Sequence, residues 1–238
     1  PVQQHNIYSS TTLNYTKTFN NKHNVDALIG WDIDDRRKEY VLATASGYPH
    51  DKLPESINAS TPLEGFSYYT EDHLLSLLSR VNYDYDNKYY FSANYRRDGS
   101  SRLGANNRWA NFWSVSAAWR MTQEKFMENV SFINDLKIRA SYGINGTLPN
   151  DLYGHLSLYG YGYNYQTIAG SAPASVPNPD LSWERNNNFN IGFDARLFDR
   201  LGITFDYYTR KTTDLLQDVP TSMVVGFTSM LKNVGEMT

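Results

Sequence analysis

Four tyrosines at alternate positions, Tyr159, Tyr161, Tyr163 and Tyr165, separated by Gly160, Gly162 and Asn164, are the residues of this chain best suited to hold a ligand. In an extended backbone successive side chains point to opposite sides, so the four phenol rings would line one face. Such a row suits stacking on sugar rings, or holding a peptide through ring faces and hydroxyl hydrogen bonds. A strand extension whose tyrosines pack on neighbouring loops has the same spacing. Asp98, Ser100 and Arg102 form a second candidate, with an acid, a hydroxyl and a base at alternate positions facing the mouth of a lumen. Asp98-Gly99-Ser100 is equally ordinary tight-loop chemistry.

Catalytic and metal chemistry find no comparable constellation. His5, His23, His50, His73 and His155 are scattered, without HExxH or i, i+4 spacing. Asp32, Asp34 and Asp35, and separately Asp84 and Asp86, lack the glycine and the distal glutamate of a calcium loop. Neither a GxSxG elbow nor a P-loop is present. Glycoside hydrolysis needs two carboxylates at a set spatial separation, and nothing in the sequence singles out a pair. No catalytic residue, metal ligand or cofactor is expected, and the chain reads as something other than an enzyme. Twenty-two basic against 25 acidic residues give a net charge of −3 with no basic block, so nucleic acid is not an expected partner. The absence of cysteine excludes a disulfide scaffold and a thiolate metal site.

The elements that must position these residues are strands. From Tyr89 to Tyr95 the odd positions are Tyr, Phe, Ala and Tyr, while the even ones are Tyr90, Ser92 and Asn94. Trp109, Trp113, Val115, Ala117 and Trp119 continue the pattern on a returning strand, with Asn111 and Phe112 as exceptions. The same period of two predicts strands over Ile7–Phe19, Val25–Ile33, Leu75–Tyr85, Leu136–Ile144, Trp183–Leu197 and Leu201–Leu215. That makes about eight long strands. Thr122–Asp135, with Phe126, Met127, Val130 and Ile133, is the one stretch that reads as a brief amphipathic helix.

Tight turns at Asn20–Lys22, Asp86–Lys88 and Asp199–Arg200 alternate with long segments at about Gly47–His73, Asp98–Arg108, Leu148–Ser182 and from Gln217 onward. Short turns at one end and long loops at the other describe a transmembrane β-barrel. Composition hides this, because lipid-facing and lumen-facing residues cancel in any window average, and no run approaches the ~18 apolar residues of a membrane helix. Nineteen tyrosines and five tryptophans suit aromatic girdles at the two interfaces. A β-sandwich could carry the same rings, but its strands run about five or six residues. These patterns persist near the ~9 to 11 that a tilted membrane strand needs.

Several runs then carry a family likeness: Tyr95-Arg96-Arg97-Asp98-Gly99-Ser100-Ser101-Arg102-Leu103-Gly104, Trp113-Ser114-Val115-Ser116-Ala117-Ala118-Trp119-Arg120, and Leu136-Lys137-Ile138-Arg139-Ala140-Ser141-Tyr142-Gly143. Asn178-Pro179-Asp180-Leu181-Ser182-Trp183-Glu184, Asp206-Tyr207-Tyr208, Lys211-Thr212-Thr213-Asp214-Leu215-Leu216 and Asn233-Val234-Gly235-Glu236-Met237 follow in order. From about Val81 onward the chain resembles the barrel of SusC/RagA-type TonB-dependent receptors of Bacteroidetes. The resemblance implies an all-β, antiparallel up-and-down barrel segment within a parent barrel of about 22 strands in the bacterial outer membrane. It implies import of an oligosaccharide or peptide, with a SusD-like surface lipoprotein as lid. Residues 1–238 are expected to be barrel throughout, with the plug, the segment engaging the TonB complex and the last strands lying outside the chain. Its start, with neither Met nor a signal peptide, is likewise expected to have been removed or to lie elsewhere. The competing reading is a β-rich surface adhesin or a soluble carbohydrate-binding module, which has no reason to turn a continuous apolar band outward.

Overall fold

Alternating side chains and left-handed turn residues produce one large antiparallel sheet. The computed structural model describes residues 2–50, 52 and 60–238. The strands are β1 (Val2–Phe19), β2 (His23–Ser46), β3 (Thr61–Tyr85), β4 (Tyr89–Ser100), β5 (Trp109–Arg120), β6 (Ile133–Thr147), β7 (Tyr159–Tyr161) and β8 (Ser171–Pro173). After them come β9 (Glu184–Leu197), β10 (Leu201–Thr213), β11 (Leu216–Pro220), β12 (Ser229–Asn233) and β13 (Glu236–Met237). The main sheet has the order β1-β2-β3-β4-β5-β6-β9-β10-β13, while β7 with β8 and β11 with β12 form separate hairpins. Its eight long strands are those expected, in an up-and-down meander.

The turns explain the antiparallel pairing. Asn20 and Asn21 (φ 49° and 53°), Asp86 and Asn87 (both 54°), and Phe198 and Asp199 (53° and 54°) are paired left-handed residues. Two such residues in succession match the twist of a hairpin, and Asn and Asp adopt that conformation readily. Phe198 is the exception: the third turn sits one residue earlier than its polar residues suggest. It is held there by Phe198 N–H donating to the Phe132 carbonyl (2.9 Å), by Asp199 N–H donating to Asn134 Oδ1 (2.8 Å), and by the Phe132 ring 6.0 Å away.

These turns share one end of the sheet. Asp86 N–H donates to the Lys22 carbonyl (2.7 Å) and Arg120 N–H to the Lys88 carbonyl (2.8 Å), which brings the β5–β6 connection to the same end. The described residues between β2 and β3, and the segments between β4 and β5, β6 and β9, and β10 and β13, lie at the other. Two expectations need correction. Gly47–His73 is not all loop, because β2 runs to Ser46 and β3 begins at Thr61. The expected helix at Thr122–Asp135 is two 3-10 turns, Met121–Gln123 and Lys125–Met127, since Glu124 between them is extended (φ −90°, ψ 147°) and interrupts the helical ladder. Its carboxylate instead accepts hydrogen bonds from Tyr89 Oη (2.6 Å) and Trp119 Nε1 (3.4 Å), and these contacts hold its pKa below the usual carboxylate value.

The register puts Tyr83, Phe91, Ala117, Ala140, Ile191 and Tyr207 in one cross-strand row, and Tyr85, Tyr89, Trp119, Ile138, Phe193 and Phe205 in the next on the same face. Tyr85, Tyr89 and Trp119 stack in succession at 6.3 and 6.4 Å, a short aromatic ladder near the turn end. The opposite face carries Asp26, Asn82, Ser92, Ser116, Ser141 and Asn190 as successive partners. Among the described residues the buried apolar side chains are Leu103, Ala110, Phe112, Leu181 and Trp183, all at the loop end. The sheet is therefore one layer thick, with an apolar outer face and a polar inner face. Lipid on one side and water on the other satisfy both.

Candidate functional site

The polar rows of the inner face bond across the strands. Thr16 Oγ1 donates to Asp26 Oδ2 (3.0 Å), Asn82 Nδ2 to Asp26 Oδ1 (3.1 Å), and Ser92 Oγ to Asn82 Oδ1 (2.5 Å). One turn-ward row over, Arg139 spans Asp194 (3.1 Å) and Asp206 (2.7 Å). These groups line much of a recess of about 640 Å³ along the inner wall. Hydroxyls, amides and carboxylates that satisfy one another keep such a wall wettable.

At the loop end the wall is tied by ion pairs, and Asp98 and Arg102 of the second sequence candidate belong to them. Asp98 is 7% exposed and accepts from Arg96 Nε (2.7 Å), while Arg96 also donates to Ser76 Oγ (2.8 Å). Arg102 grips Asp72 through two parallel bonds (2.9 and 2.5 Å) and donates to the Pro149 carbonyl (3.2 Å). The paired carboxylate raises the Arg102 pKa. Ser100, 2% exposed, accepts from Arg102 N–H (3.3 Å). Leu103 and Gly104 complete the motif from below: Leu103 is fully buried, and a Cβ on Gly104 would lie 2.0 Å from the Pro179 carbonyl. Asp98 and Arg102 thus each hold the rim in place, the first against β3 and β4, the second against the loop after β6.

The tyrosine row departs from the single extended face expected of it. β7 ends at Tyr161, Gly162 adopts φ 96°, and Tyr165 closes a small turn on Ile168. The Tyr163 ring lies 3.4 Å from where a Cβ on Gly160 would be, so it covers the face opposite Tyr159 and Tyr161. The hairpin presents phenols on both sides. All four remain open, with Tyr161 84% and Tyr165 74% exposed.

A third aromatic group escapes the sequence reading, because Phe66 and Tyr68 fall in the Gly47–His73 segment, which reads as loop. Within the membrane band β2 and β3 turn Ile29, Trp31, Ile33, Leu75 and Leu77 outward. Above Asp35 and His73, which pair at 3.0 Å, the outward positions become Arg37, Glu39, Glu71 and Tyr69, with Arg37 over the Tyr69 ring at 4.9 Å. The inward positions there are first Arg36, Asp72, Lys38 and Thr70, then Tyr40, Tyr68 and Phe66, whose rings lie 5.2 to 6.4 Å apart. The outward apolar band of the hairpin thus ends at the Asp35–His73 pair. The ring group shows only in the pairing of Tyr40 with Tyr68, since each strand alone reads as mixed.

Phe112, an exception to the sequence pattern, points inward because the loops need it there. It meets Trp183 edge to face at 5.2 Å, and Trp183 Nε1 donates to the Arg108 carbonyl (3.3 Å). Asn111, the other exception, faces outward and accepts from Tyr95 Oη (2.8 Å). His155 is 7% exposed in the same loop cluster, and its Nδ1 has no hydrogen-bond partner among the described residues. Burial and then the nearby Arg108 charge lower its pKa, against weaker opposition from the Arg102 backbone and Asp151. The unfolded loop binds a proton more readily than the docked one, so the stabilisation by neutral His155 is complete above about pH 6.5 and declines as pH falls below it. Hydrogen exchange in the segment Leu148–Ser182 should accelerate between pH 7.5 and 5, and His155→Gln should flatten that dependence.

A family profile described as "TonB dependent receptor-like, beta-barrel" matches residues 2–238. TonB-dependent receptor P39 of Formosa agariphila is 38% identical over 227 residues, covering 94% of this chain and 22% of its own length. TonB-dependent receptor SusC of Bacteroides thetaiotaomicron is 33% identical over 199 residues, 79% of this chain and 19% of its own. The structure of the RagAB peptide transporter superimposes with a TM-score of 0.90 at 31% identity, over 99% of this chain and 26% of that one. The siderophore receptor PirA from Pseudomonas aeruginosa, at 14% identity and a TM-score of 0.58, shares the fold. The chain spans about a fifth to a quarter of each of the first three. With a lipid-facing band, a polar inner face and matches that run the length of the sheet, the chain belongs to the TonB-dependent receptor β-barrel family and is a SusC/RagA-type outer-membrane barrel segment.

Proposed function

We propose that this segment forms part of the wall and mouth of a receptor that imports an oligosaccharide or a peptide, with energy from the TonB complex and a SusD-like surface lipoprotein as lid. The observation that carries this reading is the meeting, at one end of the sheet, of a wettable inner wall with loops that expose many aromatic rings. Rings on loops can capture a ligand through its apolar faces, and a wall of short hydroxyls and amides lets it pass without holding it. The remaining barrel and the plug complete the passage. Tyr159, Tyr161, Tyr163 and Tyr165 are the proposed ligand contacts, and Asp98 and Arg102 fix the rim that carries them.

Replacing Tyr161 or Tyr163 by Ala in the complete receptor should weaken substrate binding by about three- to tenfold per ring, as expected for loss of one aromatic contact. Titration with the cognate substrate, after heat-modifiable migration confirms folding, reads the effect. Unchanged affinity in a folded receptor would remove the tyrosines from the site. A loss of lid association at unchanged ligand affinity would assign them to the lid instead.

A further inference from the structure

One level of the inner wall differs from the rest in its charge. The strand register sets Arg80 on β3, Asn94 on β4, Ser114 on β5, Gly143 on β6, Asn188 on β9 and Arg210 on β10 in a single cross-strand row, with an arginine at either end. Asn94 and Ser114 stand near the middle of their strands, so the row crosses the wall below the rim. Arg80 and Arg210 are five strands apart, about 24 Å along the wall at the usual strand spacing.

The other inward arginines of the sheet, Arg36, Arg96, Arg120, Arg139 and Arg196, each pair with an aspartate. Arg80 and Arg210 have no ion pair among the described residues, and an amide oxygen stands where the carboxylate would be. Arg80 Nε donates to Asn94 Oδ1 (2.9 Å), and Arg210 Nε donates to Asn186 Oδ1 (3.1 Å). An amide holds a guanidinium in place but leaves its charge uncompensated. Both arginines are exposed, and each keeps N–H donors without a partner among the described residues. The two adjoining rows hold one carboxylate, Asp26, whose oxygens already accept from Thr16 and Asn82; the one cation there, Arg96, is paired with Asp98. Between the arginines the floor of the row is low. A Cβ on Gly143 would come 2.7 Å from Ser114 Cβ, and the missing side chain deepens a recess of about 610 Å³ lined by Arg80, Asn94, Ser114 and Asn188 among others.

On the basis of the import reading above, we propose that this row selects for anionic ligands: an extended oligomer bearing carboxylates passes here, with charges on Arg80 and Arg210 and its backbone over Gly143. A level of a passage that carries cations without their counter-charges favours anions, as rings of arginine or lysine do in anion pores. The fork of a guanidinium matches a carboxylate. A span of about 24 Å exceeds any single small anion, which is why the ligand is an oligomer.

The test titrates the complete receptor with octa-L-glutamate and with an octagalacturonate, each against its methyl ester, which keeps the shape and removes the charge. Eight extended residues reach about 26 Å, enough to touch both arginines. The charged member of at least one pair should bind about tenfold more tightly at low ionic strength, the gain expected of two solvent-facing ion pairs, and added salt should shrink the difference. The pair that shows the preference assigns the ligand to peptide or to saccharide. Arg80→Gln combined with Arg210→Gln should abolish the preference, whereas Arg97→Gln, a charge change on the outward face opposite Leu77, should leave it intact. The wild-type comparison needs no variant to fold, and the absence of a preference there overturns the proposal. So does a preference that survives in the double variant; lost thermal stability beside it would assign the arginines to holding another part of the receptor. Equal binding of acid and ester in a receptor whose affinity still falls on Tyr161→Ala overturns this inference alone, while affinity insensitive to Tyr161→Ala counts against the loop contacts instead.

Discussion

Ile191→Arg should lower the assembly stability of the receptor by about 2 to 4 kcal/mol, the depth-dependent cost of a cation facing lipid near the bilayer midplane. Ile191 is near the middle of β9, between Ala140 on β6 and Tyr207 on β10, and faces outward with 42% of its surface open. An arginine at Ile191 lies too deep for its side chain to snorkel without distorting the bilayer. Asn190, one residue away, points to the inner face beside Ser141. Asn190→Arg enters a water-filled interior and should cost far less. Denaturant titration of the two variants refolded into bilayers compares them directly. Equal tolerance at both positions would mean that the outward face does not meet lipid.

Trp183→Ala should undock the loop cluster, at a local cost of about 3 to 5 kcal/mol for removing a buried tryptophan. Trp183 is 4% exposed, meets Phe112, and stands where a Cβ on Gly146 would clash with both rings (2.3 Å to Phe112 Cζ and 2.9 Å to Trp183 Cε3). It also satisfies the Arg108 carbonyl, which would otherwise lose one of its donors. The barrel strands gain little from this contact, so the expected result is selective. Proteolysis and hydrogen exchange should accelerate across Ser101–Arg108 and Leu148–Ser182, while the amides of β9 remain protected. Uniform loss of protection would make Trp183 part of the global fold instead.

Strand positions and faces were legible because a period of two is a local property, and Phe91, Ile138 and Phe193 declare it residue by residue. The turns at Asn20–Lys22 and Asp86–Lys88 were legible for the same reason. The Phe198 turn was not, because an aromatic residue in a left-handed conformation is imposed by its contacts with Phe132 and Asn134, which are distant in sequence. Phe112 looked like an error in its strand for a related reason: its partner, Trp183, lies in a loop beyond three other elements. The tyrosine row shows the limit of periodicity outside strands, since one glycine in a left-handed conformation was enough to send Tyr163 to the other face. For Asp98 and Arg102 the residue types were visible but their engagement was not, because Asp72 sits on a strand whose upper part reads as loop.

The end of the outward apolar band on β2 and β3, where Ile33 and Leu75 give way to Asp35 and His73, gives the hairpin a fixed zero point. Were the pair to rise by one residue pair relative to the bilayer, Ile33 and Leu75 would leave hydrocarbon for water; were it to sink by one, Asp35 and His73 would enter hydrocarbon. Either displacement is opposed, so the hairpin indexes its own elevation without help from the loops beside it. A force applied to its tip from above would therefore meet a stiff vertical stop, and would be felt by the strands below as bending rather than as sliding.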